Sequence, residues 1–348
     1  MRDRKRLTCK ICAYKSDNLV PHIESKHQDL GEDALVAYME KYECDVVDVV
    51  VESHEGPEIC GIPLALGHLP ELSPQLDSAY KFELAIHGDI VMDIIENKPV
   101  MITGHAGTGK STTIEQIAAR TKQGVIRVEC NHDMLSSDLM GNWKVSNGSM
   151  EWVYGPLPKA MKEGLWLILD EIDFAPAGVL SLLNEVLEPN GNLKIKENGY
   201  EQITPHKNFR IFATANTAGA MQNFRHLYQG TNIMNEAFLD RWRIHVYDYP
   251  TEDREVQILL SKTNHRESLA RSIVRVANLI RDAFKNEEIS TTMGVRRVLD
   301  WADLMIRHND PLRAAQIAIF SKVPKEDAEV IRGIIQRTVA PESTRGTL

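Results

Sequence analysis

The chain is 348 residues long, 43% hydrophobic and 26% charged, with 40 Lys and Arg against 49 Asp and Glu for a formal net charge of −9. That is enough apolar material for a full core and for two or three domains, and the negative balance excludes a nucleic-acid coat over the whole surface. No run approaches the roughly twenty apolar residues of a membrane-spanning helix, and five cysteines scattered over this length do not make a disulfide framework.

The first residues lead into Cys and Lys instead of an apolar signal core, so the expected location is cytoplasmic. Arg2, Arg4, Lys5, Arg6, Lys10 and Lys15 crowd this segment, and any nucleic-acid contact is expected to begin there. Cys9, Cys12, His22 and His27 follow the spacing C-x2-C-x9-H-x4-H. Two thiolates on a knuckle and two imidazoles on one side of a short helix would close a tetrahedral, structural Zn²⁺ site with no open position for catalysis. Leu19 would supply its small apolar core, and a helix is expected over 35–42. Whether this module touches DNA, RNA or protein stays open, because a lone finger offers little specific affinity. Cys44 and Cys60 are either extra thiol ligands or ordinary small side chains. The second reading is favoured because no paired His or Cys stands at useful spacing.

The segment Gly104-His105-Ala106-Gly107-Thr108-Gly109-Lys110-Ser111, continued by Thr112, fits G-x-x-x-x-G-K-[ST] at every constrained position. It stands between a short β-prone run, Val100-Met101-Ile102, and a stretch with Ile114, Ile117 and Ala118 on one helical face. In that setting, backbone N–H groups and a helix N-terminus face the phosphates of a nucleoside triphosphate. Lys110 supplies a point charge and the Ser111 hydroxyl can reach Mg²⁺. A second strand is expected over Val125–Glu129. A third, Leu165 to Asp170, ends in two carboxylates: Asp170 suited to the Mg²⁺ shell and Glu171 suited to orienting the attacking water. Asp173 is ambiguous, being equally good as a cap for the helix expected over 177–188. The strand Phe209 to Ala215 ends at Asn216, whose amide can meet the γ-phosphate or the water from the side opposite Glu171. Arg241 and Arg243 follow a helical turn, and Arg296 and Arg297 lie in the first turn of a later helix. Each arginine taken alone is weak evidence.

Their order is what resembles a family. Phosphate loop, acidic strand end, Asn216, Arg241 and Arg296 are similar in succession to the AAA+ ATPases, more closely the MoxR group and its CobS-like cobaltochelatase subunits. The resemblance is carried by 79–82, 104–119, 203–209, 212–219, 228–231 and 239–242, and it spans roughly 62 to 310. The N-terminal module resembles prokaryotic zinc fingers of the Ros/MucR type and lies outside the chelatase pattern. The resemblance implies that Asn216 senses the γ-phosphate, that Arg241 reaches a neighbouring subunit's ATP, and that Arg296 is a nucleotide-sensing lid residue. Arg243 and Arg297 are the near alternatives. It also implies a hexameric ring and a von Willebrand A-type, CobT-like partner.

Two hairpins would mark the MoxR group. One lies within 141–155, signalled by Asn147-Gly148, and is expected to line the pore; the other turns through Asn198-Gly199. Trp143 and Trp152 either grip a substrate or partner or pack against the domain. From Pro250 onward helical periodicity takes over, as expected of a small lid that rotates against the core.

The expected fold class is an α/β AAA+ P-loop core with a parallel sheet, a C-terminal α-helical lid and a small N-terminal zinc-finger module. Its expected divisions are 1–42 for the finger and following helix, 43–65 for a linker, 66–250 for the nucleotide-binding domain, 251–340 for the lid and 341–348 for a flexible tail. The expected activity is Mg-dependent ATP hydrolysis that remodels or activates a partner protein or a metal-chelatase-type complex. The alternative is a nucleic-acid-associated ATPase recruited through the finger.

Overall fold

The computed structural model describes residues 56–146, 148–217 and 230–339 in full, and 7–8 and 15–16 as backbone. The chain divides into two compact units, Met1–His54 and Glu55–Leu348. In the first, β1 (Leu7–Thr8) pairs antiparallel with β2 (Lys15–Ser16). The expected zinc ligands Cys9, Cys12, His22 and His27 lie outside the described residues, as do the helix expected over 35–42 and the tail 341–348.

The second unit opens with β3 (Glu58–Ile59) and β4 (Ile62–Pro63), an antiparallel pair. Ile59 and Leu64 are buried against α1 (Leu84–Ile95). Ile59 and Leu64, in a stretch that reads in the sequence as the end of a linker, are therefore part of the core. Isolated apolar residues in a Gly- and Pro-rich stretch carry no periodicity, so their burial had no local signal.

The centre is a five-stranded parallel sheet in the order β13-β5-β12-β9-β6. Its strands are β5 (Val100–Gly104), β6 (Val125–Glu129), β9 (Trp166–Asp170), β12 (Arg210–Ala215) and β13 (Arg243–Tyr247). β5 and β9 are buried along their whole length, as continuous apolar runs are when helices cover both sheet faces. Alternation divides their side chains between the two faces. Val100, Ile102, Trp166, Ile168 and Phe212 pack on α1 and on α2 (Lys110–Thr121). Met101, Leu167, Leu169, Ile211 and Ala213 pack on α4 (Pro156–Glu163) and α5 (Ala177–Leu187).

Between β6 and α4 stand the short α3 (Ser136–Met140) and a hairpin of β7 (Gly141–Ser146) and β8 (Ser149–Tyr154). A second hairpin joins β10 (Leu193–Ile195) to β11 (Glu201–Ile203). Both fall where the Asn-Gly signals lie. After the short α6 (Glu236–Leu239) and β13, five helices gather around Trp301: α7 (Glu252–Lys262), α8 (Glu267–Lys285), α9 (Val295–His308), α10 (Pro311–Ala318) and α11 (Lys325–Thr338). Asp310 caps α10 by accepting from the N–H groups of Leu312 and Arg313, which fixes the sharp entry after α9.

Candidate functional site

Open α/β sheets bind ligands outside the carboxyl ends of their strands. Here three adjacent strands, β5, β12 and β9, deliver the phosphate loop, Asn216, and the pair Asp170 and Glu171 to one edge. Residues 104–111, 170 and 216, far apart in the chain, therefore meet because of the strand order.

The loop from Gly104 to Ser111 wraps around the Lys110 amine. Its Nζ donates to the carbonyls of Gly104 at 2.8 Å and His105 at 3.0 Å, and to Asn216 Oδ1 at 2.8 Å. Thr108 Oγ1 donates to His105 O at 3.0 Å, which tightens the turn. Gly109 precedes α2 with φ of 91°, a left-handed conformation that suits glycine, and a Cβ there would meet nothing within 4 Å. Burial pushes the Lys110 amine down to about 8, while Asp173, Asp170 and Glu171 pull the other way. Thr112 lines the cavity described below, and Ala106 sits against Gly294, just before α9.

Asp170 is held by both carboxylate oxygens. Oδ1 accepts from Ser111 Oγ at 2.6 Å and from Thr214; Oδ2 accepts from Arg127, which also bridges to Glu115 at 3.1 Å. Burial alone would raise this carboxyl's pKa, but the Ser111 and Thr214 hydrogen bonds and the Arg127 charge outweigh it and hold it below the usual range. The adjacency of a hydroxyl and a carboxylate oxygen fits magnesium, a hard cation that takes one or two protein oxygens and completes its shell with phosphate and water. Among the described residues no group of three or more His, Cys, Asp or Glu is arranged to hold a metal by itself. Ser111 and Asp170 would hold the ion, which supplies charge neutralisation on the phosphates.

Glu171 follows at a left-handed φ of 55°, uncommon for a residue with a side chain, and its N–H donates to Thr214 Oγ1 at 3.0 Å. Burial, then the charges of Asp170, Asp173 and Glu129, raise its carboxyl above the usual range. A carboxylate so placed is a stronger base.

Asp173 does not cap α5, whose N-cap position is Pro176. Its Oδ2 instead accepts from the N–H groups of Asn216 (2.9 Å) and Thr217 (3.0 Å) and from Thr217 Oγ1 (3.0 Å). A cap and a tether use the same acceptor chemistry, so the sequence could not separate them. Asp173→Ala should leave two buried N–H groups without their acceptor. We expect kcat to fall about tenfold or more while nucleotide Kd stays within about threefold, the cost of an unmade buried bond being about 1–3 kcal/mol. Equilibrium nucleotide binding and steady-state phosphate release check it.

Beside the phosphate loop lies a cavity of about 490 Å³. It is lined by Tyr80 and His87 from one side, Gly107 to Gly109 from the loop, and Val295, Arg296 and Leu299 from α9. Tyr80 hydroxyl shares a 2.7 Å hydrogen bond with Thr113 Oγ1 and lies 3.3 Å from His87 Nε2. The volume and mostly apolar lining suit a nucleoside. Sequence reading had marked Ala79 to Phe82 without a role. Arg127 has no role in the sequence reading; its charge in the middle of the second strand was the available signal.

Arg241 bonds away from this site. Its Nε and Nη2 donate to Glu188 Oε1 at 2.8 and 2.5 Å, and Nη1 donates to Ala237 O. Arg243 is exposed, with Asp93 at 4.0 Å. Arg296 lines the cavity, and the neighbouring Val295 N–H donates to Gly107 O at 3.1 Å. Arg297 is tied to Thr292 O at 3.1 Å.

A phosphate loop opening a helix, an acidic pair two strands away and an asparagine on the strand between them define a P-loop ATPase site. Comparison with known proteins carries the assignment further. Residues 99–241 match the family described as AAA domain (dynein-related subfamily), and 255–340 match the CbbQ/NirQ/NorQ C-terminal family. The chain is 33% identical over 321 residues to the aerobic cobaltochelatase subunit CobS of Sinorhizobium sp, covering 87% of this chain and 96% of that one. It is 28% identical to protein NorQ of Paracoccus denitrificans, covering 76% and 91%. It is also 26% identical to midasin of Dictyostelium discoideum over 69% of this chain but 4% of midasin. The chain belongs to the AAA+ ATPases of the MoxR type, the group that includes CobS and NorQ. It is an ATPase, and ATP with Mg²⁺ is the substrate that this family and site imply. No helix among the described residues is long and apolar enough to cross a membrane.

Proposed function

We propose that this ATPase is an Mg-dependent motor, assembled as a hexameric ring, that remodels or activates a partner protein or a metal-chelatase-type complex. The partner we propose is a von Willebrand A-type protein like CobT, and the divisions 66–250 and 251–340 are its nucleotide-binding domain and lid. The observation that carries this reading is a hydrolytic set in the same unit as a hairpin whose apolar side chains stay exposed among the described residues. β7 and β8 bring Trp143, Val145 and Met150 onto one face, where they are 47%, 76% and 65% exposed. Trp143 meets Trp152 edge to face at 5.6 Å and donates from Nε1 to Glu197 O at 3.1 Å, so its ring is braced while its outer face stays open. Braced exposed aromatics make good contact anchors.

The reading is tested by ATP turnover with and without a purified von Willebrand A-type protein from the same source. Partner-stimulated turnover is expected, and Trp143→Ala should lower that stimulation about tenfold, the effect of losing about 1.4 kcal/mol of contact. A rate blind to every such partner counts against the reading. A sedimentation experiment with ATP should give six subunits; a monomer at all concentrations counts against the ring.

The basic cluster around Lys10 supports a second reading, in which residues 1–45 hold Zn²⁺ through Cys9, Cys12, His22 and His27 and recruit the ATPase to nucleic acid. A salt-dependent shift of DNA by residues 1–45 favours it. The same shift after Cys9→Ser argues against a metal-organised finger.

A further inference from the structure

A stack of side chains runs from the phosphate loop into the helical lid, and the hydrolytic roles above do not account for it. His105, the second residue of the loop and 4% exposed, lies face to face with Tyr249: centroids 5.7 Å apart, planes 3° from parallel. Phe284 of α8 meets the same imidazole edge-on at 5.7 Å. Tyr249 stands in the short connection between the last sheet strand, β13, and the first lid helix, α7. Its ring carries the guanidinium of Arg281 at 4.0 Å.

That guanidinium is fixed from three directions. Nη1 and Nη2 each donate to one oxygen of Glu255 at 2.6 Å, Nη1 also reaches Asn278 Oδ1 at 2.9 Å, and Nε donates to Met293 O at 2.8 Å. Arg281 and Glu255 are 3% and 1% exposed. A buried ion pair is weak evidence for stability, because desolvation offsets most of its attraction. What a forked pair does supply is orientation. Here it aims a flat cation at the tyrosine and anchors Met293.

Met293 and its neighbour Thr292 lead directly into α9, which carries Arg296. Tyr249 hydroxyl shares a 3.0 Å hydrogen bond with Thr292 Oγ1 and lies 3.4 Å from Ala106 O. The backbones also meet directly: a Cβ on Gly107 would fall 2.9 Å from Gly294 Cα, and one on Gly294 would fall 2.7 Å from Ala106 O. Two partners of Tyr249, His105 and Ala106, therefore belong to the phosphate loop and two, Arg281 and Thr292, to the lid, while Tyr249 itself lies in the connection between sheet and lid. The lid cannot turn about this connection without changing at least one of these contacts.

We propose that Tyr249, packed on both His105 and Arg281, is a positioning residue that couples the phosphate loop to the lid and so sets where Arg296 stands over the nucleotide. The proposal rests on reading Arg296 as a nucleotide-facing residue. The coupling gives the lid a report of loop geometry that does not pass through the nucleotide itself. A loop drawn in around phosphates carries His105 and Ala106 with it, and the tyrosine passes that displacement to the segment before α9.

The test uses the full-length chain. Tyr249→Leu and Tyr249→Phe are compared for ADP affinity by calorimetry, for kcat and KM, and for ADP-induced hydrogen-exchange protection over residues 290–300. Tyr249→Leu is expected to lower kcat about tenfold or more, with ADP Kd and KM within about threefold, and to abolish the protection. Tyr249→Phe, which keeps the ring, should retain both within about threefold. Unchanged protection in the Leu variant overturns the coupling. A fall in ADP affinity that matches the fall in kcat also overturns it, since that marks general damage to the site. If the Leu variant does not fold, Arg281→Lys, which keeps the charge and loses the fork, is read in the same way. Arg296→Ala separates the two claims. An unchanged kcat there removes the role of Arg296, while protection lost in Tyr249→Leu still stands as coupling between loop and lid.

Discussion

Glu171→Gln should bind ATP about as well as the parent chain and hydrolyse it roughly a hundred- to ten-thousandfold more slowly, the range that loss of a positioned general base produces. The substitution keeps the side chain's size and removes its charge. It leaves untouched the Lys110 cradle and the Ser111–Asp170 contact at 2.6 Å, the groups placed to hold phosphate and magnesium. Binding and turnover should therefore separate. Burial and three neighbouring carboxylates already raise the Glu171 pKa, which makes its carboxylate a stronger base. A fluorescent-nucleotide titration beside a phosphate-release assay reads the two quantities. Normal turnover in the variant would remove Glu171 from the mechanism.

Arg241→Ala should lower turnover by about three to five decades if this side chain acts as an arginine finger, which corresponds to about 4–7 kcal/mol of transition-state stabilisation. Within one chain Arg241 is paired with Glu188 at 2.5 Å, with side chains 29% and 51% exposed. An exposed pair of this kind contributes about 0–1 kcal/mol. Releasing it to a neighbour's nucleotide thus costs little against what the finger would provide. Lys110→Ala should be inactive for the complementary reason, having an intact arginine and no phosphate loop charge. Random mixing of equal amounts of the two variants pairs an intact loop with an intact arginine at about one interface in four. Hydrolysis should recover to that order, measured after mixing across a range of ratios. No recovery at any ratio argues for a site completed within one chain.

The parts of this site that were legible in the sequence are those made by contiguous residues. Gly104 to Ser111 and the Asp170-Glu171 pair each sit where an apolar strand gives way to polar chemistry, and one short contiguous run suffices to recognise each. Asn216 was legible for the same reason. The rest depends on which strands lie side by side. Arg127 reaches Asp170 because β6 pairs with β9, with Arg127 opposite Ile168, and no local pattern announces a pairing made across about forty residues. The nucleoside-sized cavity is assembled from segments near 80, 108 and 296, so only tertiary packing defines it. Trp143 illustrates an intermediate case. The Asn-Gly turn predicts its hairpin, but whether its ring would be covered depended on a neighbouring hairpin that supplies one carbonyl and leaves one face bare.

The strand order has a metric consequence. β12 separates the strand that feeds the phosphate loop from the strand that ends in the acids, and adjacent strands lie about 4.8 Å apart, so the two ends stand about 10 Å apart. That interval suits a terminal phosphate with one water beyond it. It is a property of backbone hydrogen bonding, indifferent to temperature, salt or side-chain choice. β12 therefore works as a gauge block: Thr214 and Asn216 trim the gap that its width has already set, and substitutions along it would retune the chemistry without rescaling the chamber.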